Sequence, residues 1–215
     1  MKSSSLSILI GFFALSAVIS PAAEKGFGII AEGSPYSTIP SSALNQVQGY
    51  QSTYKSYQAA AGFLYGDPLG GHFVAEGVWY DLNFTVNDQN GGSNGFGTIY
   101  TADKVRMLGG RGGYHFNFLK RDGKFSIGFD LLGGVGQLSG NIIENAGGSL
   151  TTVTVEKKWN KLTGLSIVPL VHIGPTVTFP ITNKGIYMTV GVAMDIPAGI
   201  ALNTKLTFAP NAWRH

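Results

Sequence analysis

The 215-residue chain contains no cysteine. That excludes a disulfide-stapled miniprotein and a thiolate-ligated zinc or iron–sulfur centre. Charge is scarce too: Asp, Glu, Lys and Arg make up 13% of the residues, against roughly 25% in a soluble globular domain. The net charge is only +3, with no dense Lys/Arg stripe, which argues against a nucleic-acid partner. Beyond residue 23 there is no run of 18 apolar residues, so no transmembrane helix is expected there. A strict collagen-like glycine period is also missing. What the chain has is glycine, at 31 positions, about twice the usual ~7% share. It is 44% apolar and 12% aromatic, which a disordered chain is not. The length suits one domain.

The opening residues read as an address. Met1 and Lys2 precede an apolar run from Leu6 to Ile19, followed by Ser20-Pro21-Ala22-Ala23. A charged start, an apolar middle and a small-residue end are the marks of a secretory signal peptide. The run is short for a membrane anchor of ~20 residues. Residues 1–23 are expected to be a cleaved signal, and 24–215 the mature domain.

In the mature part, period-two alternation dominates and helical periodicity is weak. In 77–87, Val78, Tyr80, Leu82, Phe84 and Val86 share one face, opposed by Gly77, Trp79, Asp81 and Asn83. In 124–138, Phe125, Ile127, Phe129 and Leu131 oppose Ser126, Gly128 and Asp130. In 164–179, Ile167, Val171, Ile173 and Val177 oppose His172, Gly174, Thr176 and Thr178. In 186–196, Met188, Val190, Val192 and Met194 oppose Thr189, Gly191 and Asp195; in 200–208, Ile200, Leu202, Leu206 and Phe208 oppose Asn203, Lys205 and Thr207. Less regular strands near 26–36, 54–65 and 104–118 bring the total to about eight. Short turns rich in Gly, Asn, Asp or Pro lie at 66–70, 120–123 and 182–185. Long polar stretches at 39–53, 88–103 and 139–163 alternate with them, the brief Pro197-Ala198-Gly199 excepted. Within the last long stretch, Leu150–Val155 alternates again; it either extends a hairpin or raises the count to ten.

Alternation alone does not say which face meets water. A soluble barrel would carry Lys and Glu outside, whereas the polar faces here are Gly, Ser, Thr and Asn with single charges. Apolar side chains outside and a tight polar interior explain both faces. Aromatics gather beside the short turns, at Phe63, Tyr65, Phe116, Phe118, Phe125, Phe179 and Phe208, as in an interfacial girdle. Leu202, Thr204, Leu206 and Phe208 step by two toward an aromatic end, though Ala209 to His215 follow and Trp213 lies in that tail.

On these features the chain resembles the small eight-stranded bacterial outer-membrane β-barrels, the group with OmpA-like, OmpX-like, OmpW-like and Opa-like proteins. The resemblance covers nearly all of the mature chain and rests on pattern; no subfamily is assigned. It implies an all-β, antiparallel transmembrane barrel in the bacterial outer membrane, with short periplasmic turns and long outer loops. Its partners would be membrane lipid, lipopolysaccharide and the barrel assembly machinery, with a surface ligand possible through the loops.

The faces assigned to the interior carry Glu32, Asp81, Arg111, His115, Asp130, His172, Asp195 and Lys205. With each hairpin symmetric about its loop, Asp81 falls opposite Arg111, Asp130 opposite His172, and Asp195 beside His172. Charges away from water need partners, so these residues are expected to form an ion-pair network that plugs the lumen, as eight-stranded barrels fill with side chains. The other reading is a lining selective for ions or a small polar ligand.

No cofactor and no enzymatic activity are expected. A nucleophilic triad needs three groups together, and no serine stands out beside His115 or His172. His72 sits by a short turn, the wrong end for chemistry on outer-leaflet lipid. The four histidines lack metal-site spacing, and Gly134-Val135-Gly136 lacks the βαβ context of a dinucleotide loop. Tyr50, Tyr54, Tyr57, Phe96, Tyr100 and Trp159, with Lys157, Lys158 and Lys161, fall in the long stretches. They read equally as a binding surface or as the outer interfacial belt with lysines facing lipid phosphates. The reading of the whole is a structural or adhesive outer-membrane barrel, with a narrow channel for small or apolar solutes as the alternative and a lipid-modifying enzyme third.

Overall fold

The computed structural model describes residues 26–38, 50–88, 97–121, 124–182, 185–196 and 198–210. The signal segment 1–23, Phe96 and Trp213 lie outside them. In chain order the elements are β1 (Gly26–Thr38), β2 (Tyr50–Gly66), β3 (His72–Asp88), β4 (Thr98–Arg121), β5 (Phe125–Ala146), β6 (Ser149–Thr154), α1 (Val155–Thr163), β7 (Ile167–Thr182), β8 (Ile186–Ile196) and β9 (Gly199–Phe208).

Eight of the strands close into an antiparallel barrel in the order β1–β2–β3–β4–β5–β7–β8–β9, and β9 returns to pair with β1 through Ile29↔Phe208 and Glu32↔Lys205. Closure removes the unpaired edges that an open sheet would leave. The Leu150–Val155 alternation turns out to be a hairpin arm and not a further wall strand: β6 pairs with β5 from Asn141↔Thr154 to Ala146↔Ser149. Its turn is Gly147-Gly148, with φ of 58° and 90°, the positive values that two-residue hairpin turns demand.

The two ends differ in height. At the loop end, β2 and β3 pair as far as Tyr50↔Asp88 and β4 and β5 as far as Thr98↔Ala146, whereas β8 and β9 stop at Asp195↔Gly199. The β2–β5 side therefore stands up as a blade. Register breaks at Leu82/Thr85 and Asp103/Arg106 mark its base. Beside the second break, Lys104 takes φ 55° and Gly140 φ 112°, the signature of a bulge that re-aims a strand.

The outer surface carries an apolar band. On β2 it runs from Tyr57 to Tyr65 and on β9 from Ile200 to Phe208, nine residues on each. Exposed Phe27, Leu108, Phe118, Val135, Ile167 and Val192 continue it around the barrel. At the height of Tyr57, where the band ends on β2, the outward face of the neighbouring strands turns polar along the paired row Asp81–Arg106–Ser139.

Packing distinguishes neighbouring glycines. A Cβ on Gly134 would run into the Gly110 carbonyl and Arg111 backbone on the next strand, whereas one on Gly133 meets nothing within 4 Å. Gly134→Ala is therefore expected to cost about 1–3 kcal/mol through overpacking, and Gly133→Ala to stay within about 0.5 kcal/mol. Denaturant unfolding of the two purified variants checks the contrast. Equal losses would mean that β4 and β5 are not as close as described.

Candidate functional site

The interior is layered. Its loop half is apolar: Ala60, Val78, Tyr80, Leu82, Met107 and Leu170 form one cluster with Ala198 of the β8–β9 turn. That turn leans across the mouth, where Ser56 Oγ donates to the Ala198 carbonyl at 3.3 Å. α1 closes the top. Its Val155 and Trp159 occupy one face at the i, i+4 spacing that aligns side chains on a helix, and both pack on the apolar cluster. The Trp159 indole N–H donates to the Ile167 carbonyl at 2.9 Å. Gly164 ends the helix in the left-handed region with φ 70°, as C-terminal glycines do. At the opposite end, Leu69, Tyr187 and Ala209 pack together across the short turns.

Below the apolar layer lies an ionic core built on Arg111 of β4. Its Nη2 donates to Glu32 Oε1 at 2.8 Å, its Nη1 to Asp195 Oδ1 at 3.0 Å and to Tyr80 Oη at 3.2 Å, and its Nε to Glu76. The Arg111, Glu32, Glu76 and Asp195 side chains are completely shielded from solvent. Lys205 forms a second arm, with Nζ 3.2 Å from Asp130 Oδ2 and 3.6 Å from Glu32 Oε2. His115 Nδ1 lies 2.6 Å from Asp130 Oδ1, and His172 bridges the arms, its Nδ1 3.0 Å from Asp195 and its Nε2 3.7 Å from Asp130. Four carboxyl groups thus face the Arg111 guanidinium and the Lys205 ammonium, with the two imidazoles placed between them. The Gln58 amide donates to Glu32 Oε1 at 3.0 Å, and His72 stacks on His115 with ring centroids 4.5 Å apart.

The structure therefore brings Glu32, Arg111, His115, Asp130, His172, Asp195 and Lys205 into one buried cluster. Asp81 is not among them. It lies on the outward face of β3 as the register partner of Arg106, and the partner of Arg111 is Glu76. The parity expected for 77–87 is reversed: Val78, Tyr80 and Leu82 point inward, and Trp79, Asp81 and Asn83 point outward. Two physical facts set this parity. Glu76 shares a face with Val78 and is held inside by Arg111. In the loop half of the lumen, Val155 and Trp159 of α1 pack on Val78, Tyr80 and Leu82 as part of one apolar cluster, so apolar side chains are buried there at no polar cost. Asp81 and Asn83, in turn, stand at or above the edge of the apolar band, in contact with water. An interior polar along its whole length is thus corrected to one whose loop half is mostly apolar, with Ser56 and Gln58 among its buried polar side chains.

Glu76 was the residue that reading the sequence missed. Extending the alternation back to His72, Val74 and Glu76, against Phe73, Ala75 and Gly77, finds it. Asp130 is directly opposite Gly174 and reaches His172 diagonally, whereas His172 and Asp195 are direct partners. Tyr54 and Trp159 turn into the apolar cluster instead of presenting a surface, while Lys158 Nζ sits 5.1 Å over the Tyr100 ring. Among the described residues, no group of three or more His, Asp or Glu is arranged to hold a metal ion. No protein-family model matches this sequence, and no curated protein is significantly similar to it.

Proposed function

We propose that the protein is a bacterial outer-membrane barrel, structural or adhesive, that displays its loops over a lumen plugged by its own side chains. The observation that carries this reading is the outer apolar band. Exposed Phe, Leu, Ile and Val surround a closed barrel, over the nine-residue height of β2 and β9 that matches the ~9–11 residues a strand needs to cross a bilayer. Water would not tolerate so continuous an apolar surface, and hydrocarbon accepts a closed barrel because every wall hydrogen bond is internal. Lipid and lipopolysaccharide are then its surroundings, the assembly machinery inserts it, and any surface ligand meets the β2–β5 blade, the β6 arm and α1. No catalytic step is assigned.

The plug follows from the two layers. Paired charges fill the short-turn half together with the buried apolar side chains of Ile30, Leu64, Val74 and Leu132, and apolar side chains fill most of the loop half. A channel for small or apolar solutes needs both to yield. The purified protein in planar bilayers is expected to give no steady unitary current. Steady, salt-dependent currents would replace the plug by the channel reading. Sedimentation with the outer membrane, together with faster gel migration before boiling than after, tests the location. An altered lipid A mass on overexpression would instead expose an enzyme.

A further inference from the structure

The polar row nearest the ionic core has missing side chains. Gly128, Thr176, Gly191 and Asn203 are successive register partners across β5, β7, β8 and β9. Gly191, without a side chain, leaves a small space between Thr176, Asn203 and the Glu32–Lys205 pair. It forms a cavity of about 10 Å³ lined by these residues and by Asp130 and His172. That is about the volume that one water molecule occupies and too little for an organic ligand.

The polar atoms beside this space lack hydrogen-bond partners. Asn203 Oδ1 and Nδ2, Thr176 Oγ1 and Glu32 Oε2 are all buried without a hydrogen bond. Their residues are only 5–6% exposed. Buried polar groups are almost always satisfied, by protein or by ordered water, and four such atoms around one space mark it as a binding site. We propose that the barrel interior binds a single long-lived water molecule there. It accepts a hydrogen bond from the Asn203 amide N–H and donates to Glu32 Oε2 and Thr176 Oγ1. The charges select a neutral guest. The Lys205 ammonium, 3.6 Å from Glu32 Oε2, repels a bare cation, and the Glu32 and Asp130 carboxylates repel an anion. The water ties the β7–β9 polar row to the Lys205 arm of the ionic core. This inference concerns the interior alone and holds whether or not the outer band meets lipid.

Two measurements on the full chain refolded in detergent test it. Magnetic relaxation dispersion counts long-lived internal waters in the wild type, Asn203→Leu and Thr176→Val. The expected count falls by one in Asn203→Leu, and the residence time shortens in Thr176→Val. A high-resolution crystal structure of the wild type is expected to show a solvent peak within hydrogen-bond distance of Asn203 and Glu32. An unchanged count and residence time in both variants overturns the proposal. So does an Asn203 amide bonded directly to protein, or a peak that exchanges for rubidium with an anomalous signal. If Asn203→Leu does not fold, Thr176→Val and the wild-type density decide.

Discussion

Arg111→Met is expected to lower the unfolding free energy by about 3–5 kcal/mol, the range found when one partner of a buried ion pair is removed. Three carboxylates, of Glu32, Glu76 and Asp195, rely on this guanidinium, and none of them reaches solvent. Methionine fills much of the same volume, so the loss is electrostatic and not a cavity effect. Lys205 neutralises part of the charge on Glu32 but is committed to Asp130 as well. Adding Glu76→Gln to Arg111→Met removes one stranded charge, so the double variant is expected to recover part of the loss. Arg106→Met is the matched control, five residues away on the same strand and exposed; its expected cost is below about 1 kcal/mol, the ceiling for an exposed pair. Urea unfolding in detergent micelles, followed by tryptophan fluorescence, ranks the four proteins. An Arg111→Met loss no larger than that of Arg106→Met would mean that the ionic core does not hold the barrel together.

How much of this could be read in advance differs from strand to strand. On β9 one face is Ile200, Leu202, Leu206 and Phe208 and the other Asn203, Lys205 and Thr207. The contrast in transfer free energy between the faces is large, so the parity was legible, and with it Lys205. β5, β7 and β8 are alike in this, and they yielded Asp130, His172 and Asp195. β3 is not. Its inward face changes from His72 and Glu76 to Val78, Tyr80 and Leu82 halfway along, because the lumen itself changes from ionic to apolar. A window opening at Gly77 sees only the second half and assigns it to the outside. The Asp81–Arg111 pairing failed for a separate reason. A second long loop reaching Asp103 predicts that pairing, whereas β3 and β4 remain paired up to Asp88↔Thr98, and the longer ladder shifts the register by five residues. α1 left a faint signal, Val155 and Trp159 four apart amid lysines, but nine residues are too few for periodicity to outweigh the surrounding strand pattern. The orphaned Asn203 and Thr176 were visible as inward residues, but their lack of partners depends on Gly191 lying between them on the neighbouring strand, which only the register reveals.

The outer band permits a test that separates lipid from water as its surroundings. Val192 is half exposed at the middle of the outward row of β8, and Ile196 is 42% exposed at its loop end. In a bilayer, an arginine at mid-depth of a barrel wall costs about 2–4 kcal/mol, and one near the interface about 0–1 kcal/mol. Val192→Arg is therefore expected to lose about 2–4 kcal/mol and Ile196→Arg less than about 1 kcal/mol when the barrel is refolded into lipid vesicles. The gap arises from depth, since both side chains project outward from one strand and neither touches the ionic core. In water no such gap exists: both positions are exposed, and surface substitutions there would stay within about 0.5 kcal/mol of each other. Reversible urea unfolding from vesicles supplies the two free energies. Equal small losses would place the Val192 face in water and remove the basis for a membrane-spanning barrel. They would leave the closed wall and its ionic core as they stand, because those rest on backbone pairing and buried charge, whatever solvent surrounds them.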